Sequence, residues 1–364
     1  MRSKLMSRVL VGRARRVLLL TLLLVVMVMM PLRSTFMGLV LPTPWADTDT
    51  VHLLHVVRDF QNFDLDSAPK RRDPVWDRVQ VNLSQYDTYV AQQQNAYPEF
   101  WRHYTELKTQ PSAENVLKER AQLLDTFQPL MNPREKAHLL FAFSTFHRAC
   151  REAGLTYFIL EASLMGVLRH HALIPWDDDI DVVMSARQWP QIRNVLGNIA
   201  GFTLYTPPDS QWKFYMDRAT AFPNKPFKFP NIDIFFYMDD ETHIWSLTKG
   251  LKHDLVYEKR DIFPLQLRPF EGHMVPVPCN LDLIVHKSHD QHKCVTPEYV
   301  HKTNKNNYFF NIASIDCEQL YEFYPFVFPR PSSLRGHVDE HLRVGVREIH
   351  KVTVPLGCTG GSPA

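Results

Sequence analysis

Apolar and polar positions fall into distinct regimes along the chain. Residues 17–32 form an uncharged run, almost all Leu, Val and Met. From 34 to 130 apolar residues are scattered among prolines (Pro42, Pro44, Pro69, Pro74, Pro98, Pro111) and a polar Gln92-Gln93-Gln94-Asn95 run, and only short helical stretches are expected. A clear period begins at Asn132. Asn132 can cap a helix, Pro133 suits its first position, and Glu135 completes a capping box. Leu139, Phe143, Phe146 and Cys150 follow at helical spacing, and Gly154 is a natural stop. The period then shortens. Residues 155–160 read as a buried strand, 164–170 as a short helix and 177–184 as a strand. An amphipathic helix follows over 186–200, with strands at 202–205, 212–216 and 232–237. Helices interleaved with strands predict an α/β or α+β sheet domain. Beyond about 255 the pattern is aromatic and proline-rich and marks out no element.

The apolar run at 17–32 is slightly short for a bilayer span, which takes about 17–25 residues. Arg33 can snorkel, and apolar sequence resumes at Phe36–Leu41. A cleaved signal peptide competes with a signal anchor, but the basic flank is long for one and no small-x-small site follows. Six basic residues ahead of the run predict a cytosolic N-terminus, and so a single-pass type II protein of the Golgi or endoplasmic reticulum with a luminal body. The boundaries read as 1–16 tail, 17–32 anchor, 33–130 stem or lead-in, 131–325 catalytic domain and 326–364 extension.

Charge is uneven. The whole chain sums to +2, but seven basic residues and no acidic one precede position 34, which leaves 34 basic against 39 acidic residues, or −5, over 34–364. A mildly acidic body does not suit a nucleic-acid binder. Asn82-Leu83-Ser84 is a glycosylation sequon. Five cysteines permit one or two disulfides and leave at least one unpaired within the chain. His286, His289, His292 and Cys294 have a spacing that zinc can use, although their polar surroundings read more simply as a solvated loop.

The informative stretch is Trp176-Asp177-Asp178-Asp179-Ile180-Asp181-Val182-Val183-Met184. On a strand, Asp177, Asp179 and Asp181 would share one face. An EF-hand loop would need Gly and Glu where Val182 and Gln188 stand. A Mg²⁺ or Mn²⁺ site suits the carboxylates better, because hard divalent ions take carboxylate oxygens and bridge to phosphates. A solvated acidic turn is the bland alternative. Asp233, alone in the apolar run Ile232–Phe236, is costly unless paired or metal-bound, and supplies a third carboxylate. Of the nearby cations Lys213, Arg218, Lys225 and Lys228, Lys213 ranks first for neutralising a diphosphate because it lies on an expected strand. No P-loop, Gly-x-Ser-x-Gly or His-Glu-x-x-His motif is present.

The stretch EASLMGVLRHHALIPWDDDIDVVM resembles the LicD/fukutin family, with IDIFF at 232–236 and RDIFPLQLRPFEGHMVPVPCN at 260–280 similar to its later segments. The resemblance covers about 135–305. It implies a nucleotidyltransferase-like mixed sheet flanked by helices. It also implies a phosphotransferase that moves a phospho-alcohol, such as phosphocholine or ribitol phosphate, from a CDP-linked donor to a glycan or glycoprotein acceptor. Animal members are similar in topology, with one N-terminal anchor. By that resemblance Asp179, Asp181 and Asp233 are the catalytic, metal-binding carboxylates and Asp177 assists. Ser163 and Gly166 shape a helix start that holds phosphate, and Arg169 contacts a phosphate oxygen or pairs with the acidic strand. Asp233 is also the simplest acceptor for the attacking hydroxyl's proton. Ala162 stands where the family prefers Gly, which motivates the alternative of a non-catalytic glycan-binding homologue. A glycosyltransferase using Asp-x-Asp with a nucleotide sugar is the other rival. Such enzymes usually place a long nucleotide-binding region before that motif, and 34–130 does not read as one.

Overall fold

The computed structural model of the protein describes residues 50–62, 81–94, 114–208, 211–248, 255–307 and 312–358. The chain divides into units Met1–His52 and Leu53–Ala364, and almost everything described belongs to the second. The expected tail and anchor at 1–32 lie outside the described residues. Among the described residues no helix is long and apolar enough to cross a membrane.

Among the described residues, three helices precede the core domain: α1 (Thr50–Gln61), α2 (85–94) and α3 (Glu114–Thr126). Phe60, Tyr86, Leu124 and Phe127 are buried in the same core as the sheet, so these described parts of the lead-in pack into the body. Phe60 stacks on Trp212, with ring centroids 5.4 Å apart. The next helix, α4 (Pro133–Ala153), begins with the expected capping box. The Asn132 side chain accepts from the Arg134 and Glu135 N–H groups, and Glu135 accepts from the Asn132 N–H. It ends at Gly154 with φ 66°, the left-handed conformation that glycine adopts without a Cβ penalty. Its aromatic face, Phe143 and Phe146, is fully buried.

The central sheet contains β1 (Tyr157–Ile159), β2 (Ile180–Ser185), β3 (Phe202–Tyr205), β4 (Gln211–Met216), β5 (Ile232–Asp239), β6 (His243–Ser246) and β7 (Val256–Glu258). The order is β1-β2-β5-β4-β3, with β6 joining the far part of β5 and β7 following it. The β2/β5 pair is parallel and the other pairings are antiparallel, so the sheet is mixed. Helix α5 (Glu161–His170) connects β1 to the acidic loop, and α6 (Trp189–Leu196) follows β2 after a short turn at Ala186–Gln188. The single helix expected over 186–200 is thus divided, because Pro190 favours a fresh helix start, and it stops at Gly197.

Strand β2 begins at Ile180, not at Asp177. The Asp177 N–H closes a turn onto the Ile174 carbonyl, and the Asp178 carboxylate leaves the sheet to meet backbone at 301–302. Asp177–Asp179 therefore form a loop, and strand alternation does not set their facing.

Toward the C-terminus come β8 (Gln266–Phe270), β9 (His273–Val277), α7 (Leu281–Ser288), β10 (Lys293–Val295), β11 (Tyr299–Val300), β12 (Lys305–Asn306) and β13 (Ser314–Asp316). A three-stranded sheet of β14 (Phe326–Pro331), β15 (His337–Val344) and β16 (Arg347–Pro355) closes the chain. Two disulfides, Cys279–Cys358 and Cys294–Cys317, tie this half together, and Cys150 is the buried free thiol.

Candidate active site

The sheet register builds the centre of the site. Asp181 on β2 lies directly beside Asp233 on β5, and Asp233 lies directly beside Lys213 on β4. Since side chains alternate along a strand, this row of three points to one face. The acidic loop delivers Asp179 to the same spot: Asp179, Asp181 and Asp233 each offer an oxygen, and these oxygens lie within 4.8 Å of one another. All three residues are buried.

Asp233 is held between two donors from β4. Lys213 Nζ is 2.5 Å from its Oδ1, and Gln211 Nε2 donates to Oδ2 at 2.7 Å. Lys213 is itself buried, near Asn231 Oδ1 and 4.9 Å above the Phe227 ring. The Asp181 backbone N–H donates to Ser163 Oγ at 2.9 Å, which fastens the start of α5 to β2. Asp178, fully buried, accepts from the His301 and Lys302 N–H groups at 3.2 and 2.8 Å and faces His301 Nδ1 at 3.0 Å. His301 Nε2 lies 3.1 Å from Asp179 Oδ2.

The electrostatics follow from burial and crowding. Burial, then the charges of Asp179, Asp233 and Glu161, push the Asp181 carboxyl well above its ordinary value. Burial also raises Asp179 well above its ordinary value, with Asp177, Asp233 and Asp178 adding to it against the pull of His301. Asp177 is pushed up to about 6 by burial and by Asp178. Burial alone would lower His301, but Asp179, Asp178 and Asp233 outweigh it and raise the ring to about 9. Each buried carboxylate carries a desolvation penalty of several kcal/mol. Among the described residues, Lys213 and, when protonated, His301 contact the cluster, and they do not balance Asp177, Asp178, Asp179, Asp181 and Asp233; a bound divalent ion would take the place of the His301 Nε2 proton. An all-oxygen triad with excess negative charge fits a hard divalent ion.

A cavity of about 520 Å³ opens beside Asp233. Lys213, Lys225, Tyr205, Phe227 and Tyr299 line it, together with His301. It offers cations for phosphate and flat rings for stacking.

The other expected site residues are distributed as follows. Ser163 is at the cluster through its bond to Asp181. Gly166 is inside α5, where a Cβ would come 2.5 Å from the Ala172 carbonyl oxygen, so its role is close backbone packing. Arg169 is not brought to the cluster: its guanidinium donates to the Lys293 carbonyl and to Cys317 Sγ, and it lies 6.0 Å over the Trp176 ring. Lys228 donates to the Asp217 carbonyl. Ala162 lies inside α5 and the left-handed backbone is one residue earlier, at Glu161 with φ 53°. Asn82 is exposed, its Oδ1 accepting from Ser84. The Cys294 sulfur belongs to a disulfide, and neither converging group of possible metal ligands among the described residues contains His286, His289 or His292.

Sequence reasoning missed His301, Gln211, Tyr205, Phe227 and Tyr299. Tyr205 ends β3 opposite Lys213 and Gln211 begins β4 two residues before it, so strand pairing carries a signal for them. Nothing local marks His301, which reaches Asp179 from 122 positions away.

Residues 154–280 match the family described as LicD/FKTN/FKRP, nucleotidyltransferase domain. That segment spans β1 to β9, including Asp179, Asp181, Lys213 and Asp233. One similar protein is the lipopolysaccharide cholinephosphotransferase LicD of Haemophilus influenzae, 38% identical over 50 residues. The alignment covers 14% of this chain and 19% of that protein.

Proposed function

We propose that the protein is a cation-dependent phosphotransferase that moves a phospho-alcohol from a CDP-linked donor to a glycan hydroxyl. The observation that carries the reading is the convergence of Asp179, Asp181 and Asp233 at the edge of a cavity lined by Lys213 and Lys225. The family match over the sheet supports a transferase, and the similar protein's name supports a phosphocholine-type donor.

Asp179, Asp181 and Asp233 would hold Mg²⁺ or Mn²⁺. A bound divalent ion supplies neutralisation of the donor diphosphate and of the charge that develops on the leaving nucleotide. Lys213 and Lys225 face the cavity and favour phosphate there. Tyr205, Phe227 and Tyr299 give a base or sugar ring apolar faces and exclude water. Gln211 and Lys213 fix the Asp233 carboxylate, which limits its reorganisation when substrate arrives.

The two disulfides and the exposed Asn82 sequon support a luminal body behind the anchor expected at 17–32. The Ala162 methyl, whose crowding of an approaching phosphate would favour a non-catalytic reading, is partly buried and packs against the hydrophobic core.

The deciding experiment incubates the purified protein with Mn²⁺ or Mg²⁺, a glycan acceptor and a panel of CDP-alcohols and nucleotide sugars. CMP release with phospho-alcohol on the acceptor is expected. UDP or GDP release would instead identify a glycosyltransferase.

A further inference from the structure

The turn between β11 and β12 is fastened to the acidic loop by Asp178. That carboxylate takes two backbone N–H groups, from His301 and Lys302, and the imidazole Nδ1. With three donors from the His301–Lys302 turn, Asp178 holds that turn and orients the ring. A carboxylate on one ring nitrogen is a common arrangement behind a metal-ligating histidine, because it fixes the tautomer and directs the other nitrogen at the ion.

The other nitrogen is directed accordingly. Nε2 stands 3.1 Å from Asp179 Oδ2. Two ligand atoms at right angles around an ion, with bonds of about 2.1 Å, stand about 3.0 Å apart. Asp179 is common to two converging groups, one with Asp178 and His301 and the other with Asp181 and Asp233. Asp181 supplies an independent observation. The residue is only 8% exposed, and no hydrogen-bond donor among the described residues reaches its carboxylate. It is a buried acceptor left open toward the same point.

We infer that His301 supplies a nitrogen ligand to the cation held by Asp179, Asp181 and Asp233, with Asp178 orienting the ring. The inference rests on the cation reading above and deepens it. A nitrogen in the ligand set moves preference away from Mg²⁺, which favours oxygen and water, and along the first-row series from Mn²⁺ toward Co²⁺.

The test uses the full chain loaded with Mn²⁺ alone, with pulsed electron paramagnetic resonance to detect a directly bound ¹⁴N. The expected result is a histidine nitrogen coupling in the wild type. In His301→Gln the coupling disappears and the Mn²⁺ dissociation constant rises on the order of 10–100-fold, while Asp178→Asn weakens binding by about tenfold. Bound Mn²⁺ without nitrogen coupling in the wild type overturns the inference, as does unchanged coupling in His301→Gln. The wild-type spectrum decides even if a variant fails to fold. If Mn²⁺ binds without nitrogen coupling and is lost in Asp181→Asn, the acidic site stands and only His301 falls. No Mn²⁺ binding at all removes both readings.

Discussion

Asp181 sits where ionising its carboxyl costs stability, and where, on the proposed reading, a cation would offset that cost. It is buried beside Asp179 and Asp233, and its carboxyl is pushed well above the ordinary value by burial first and those neighbours second. Asp181→Asn should therefore raise the melting temperature of cation-free protein while lowering transfer activity on the order of 10²–10³-fold. A melt and a CMP-release assay on the same preparation check both halves. His147 provides a pH test remote from the cluster. Burial first, then His273 and Arg151, lowers its ring from 6.5 to about 4, and Nδ1 lies 2.6 Å from the Tyr157 hydroxyl. A ring that binds fewer protons when folded contributes stability above about 6.5 that is lost as pH falls toward 4. His147→Gln should flatten that fall by on the order of 1 kcal/mol, after allowance for a ring that is only partly buried. Unfolding curves at pH 7 and pH 4.5 give the comparison. Of the individual site residues, Asp179, Asp181 and Asp233 are legible in the sequence because a carboxylate beside apolar strand residues is conspicuous. His301 is not, because it lies in a turn without periodicity and meets its partners only through the fold.

Elements explain why neighbours in one motif separate. Ser163 and Arg169 belong to the same recognisable stretch, but α5 turns about 100° per residue, so six residues place Arg169 about 240° around from Ser163. Ser163 reaches Asp181 and Arg169 reaches Lys293 and Cys317. The motif is readable as a string, whereas the face each residue occupies requires knowing where the helix starts. Helix α4 was legible to its ends, since the capping box and Gly154 are local signals. The start of β2 was not, because Asp178 is drawn off by backbone far along the chain. Gly166 yields a prediction at this scale. Its missing Cβ admits the Ala172 carbonyl, so Gly166→Ala should cost about 1–3 kcal/mol by overpacking, read as a lowered denaturant midpoint with an unchanged slope.

At the scale of the molecule, the aromatic and proline-rich sequence beyond about 255 becomes short strand pairs, helix α7 and the three-stranded β14–β16 sheet, with two covalent ties among them. Cys279 and Cys358 close a separation of 79 residues. Reducing both disulfides should lower stability by about 2–5 kcal/mol, measured by chemical denaturation with and without reductant. Cysteine count alone left the pairing open, since pairing depends on which loops the sheet brings together. The expected luminal orientation has its own test: Asn82 is exposed, so secretory expression should yield a glycosidase-sensitive species that Asn82→Gln abolishes.

The row Lys213–Asp233–Asp181 also bears on how such a site can change. Its members are separated by an excursion through α6, β3 and the 217–231 loop, yet backbone ladder bonds decide their adjacency. Chain can be added to or removed from that excursion without moving the three side chains relative to one another, provided the strands keep step. A slip by a single residue would turn Asp233 to the opposite face of the sheet. The fold thus separates what is heritable as a fixed unit from what is free to diversify: the charged row is copied with the strands, while the loops at its edge remain available to reshape the cavity.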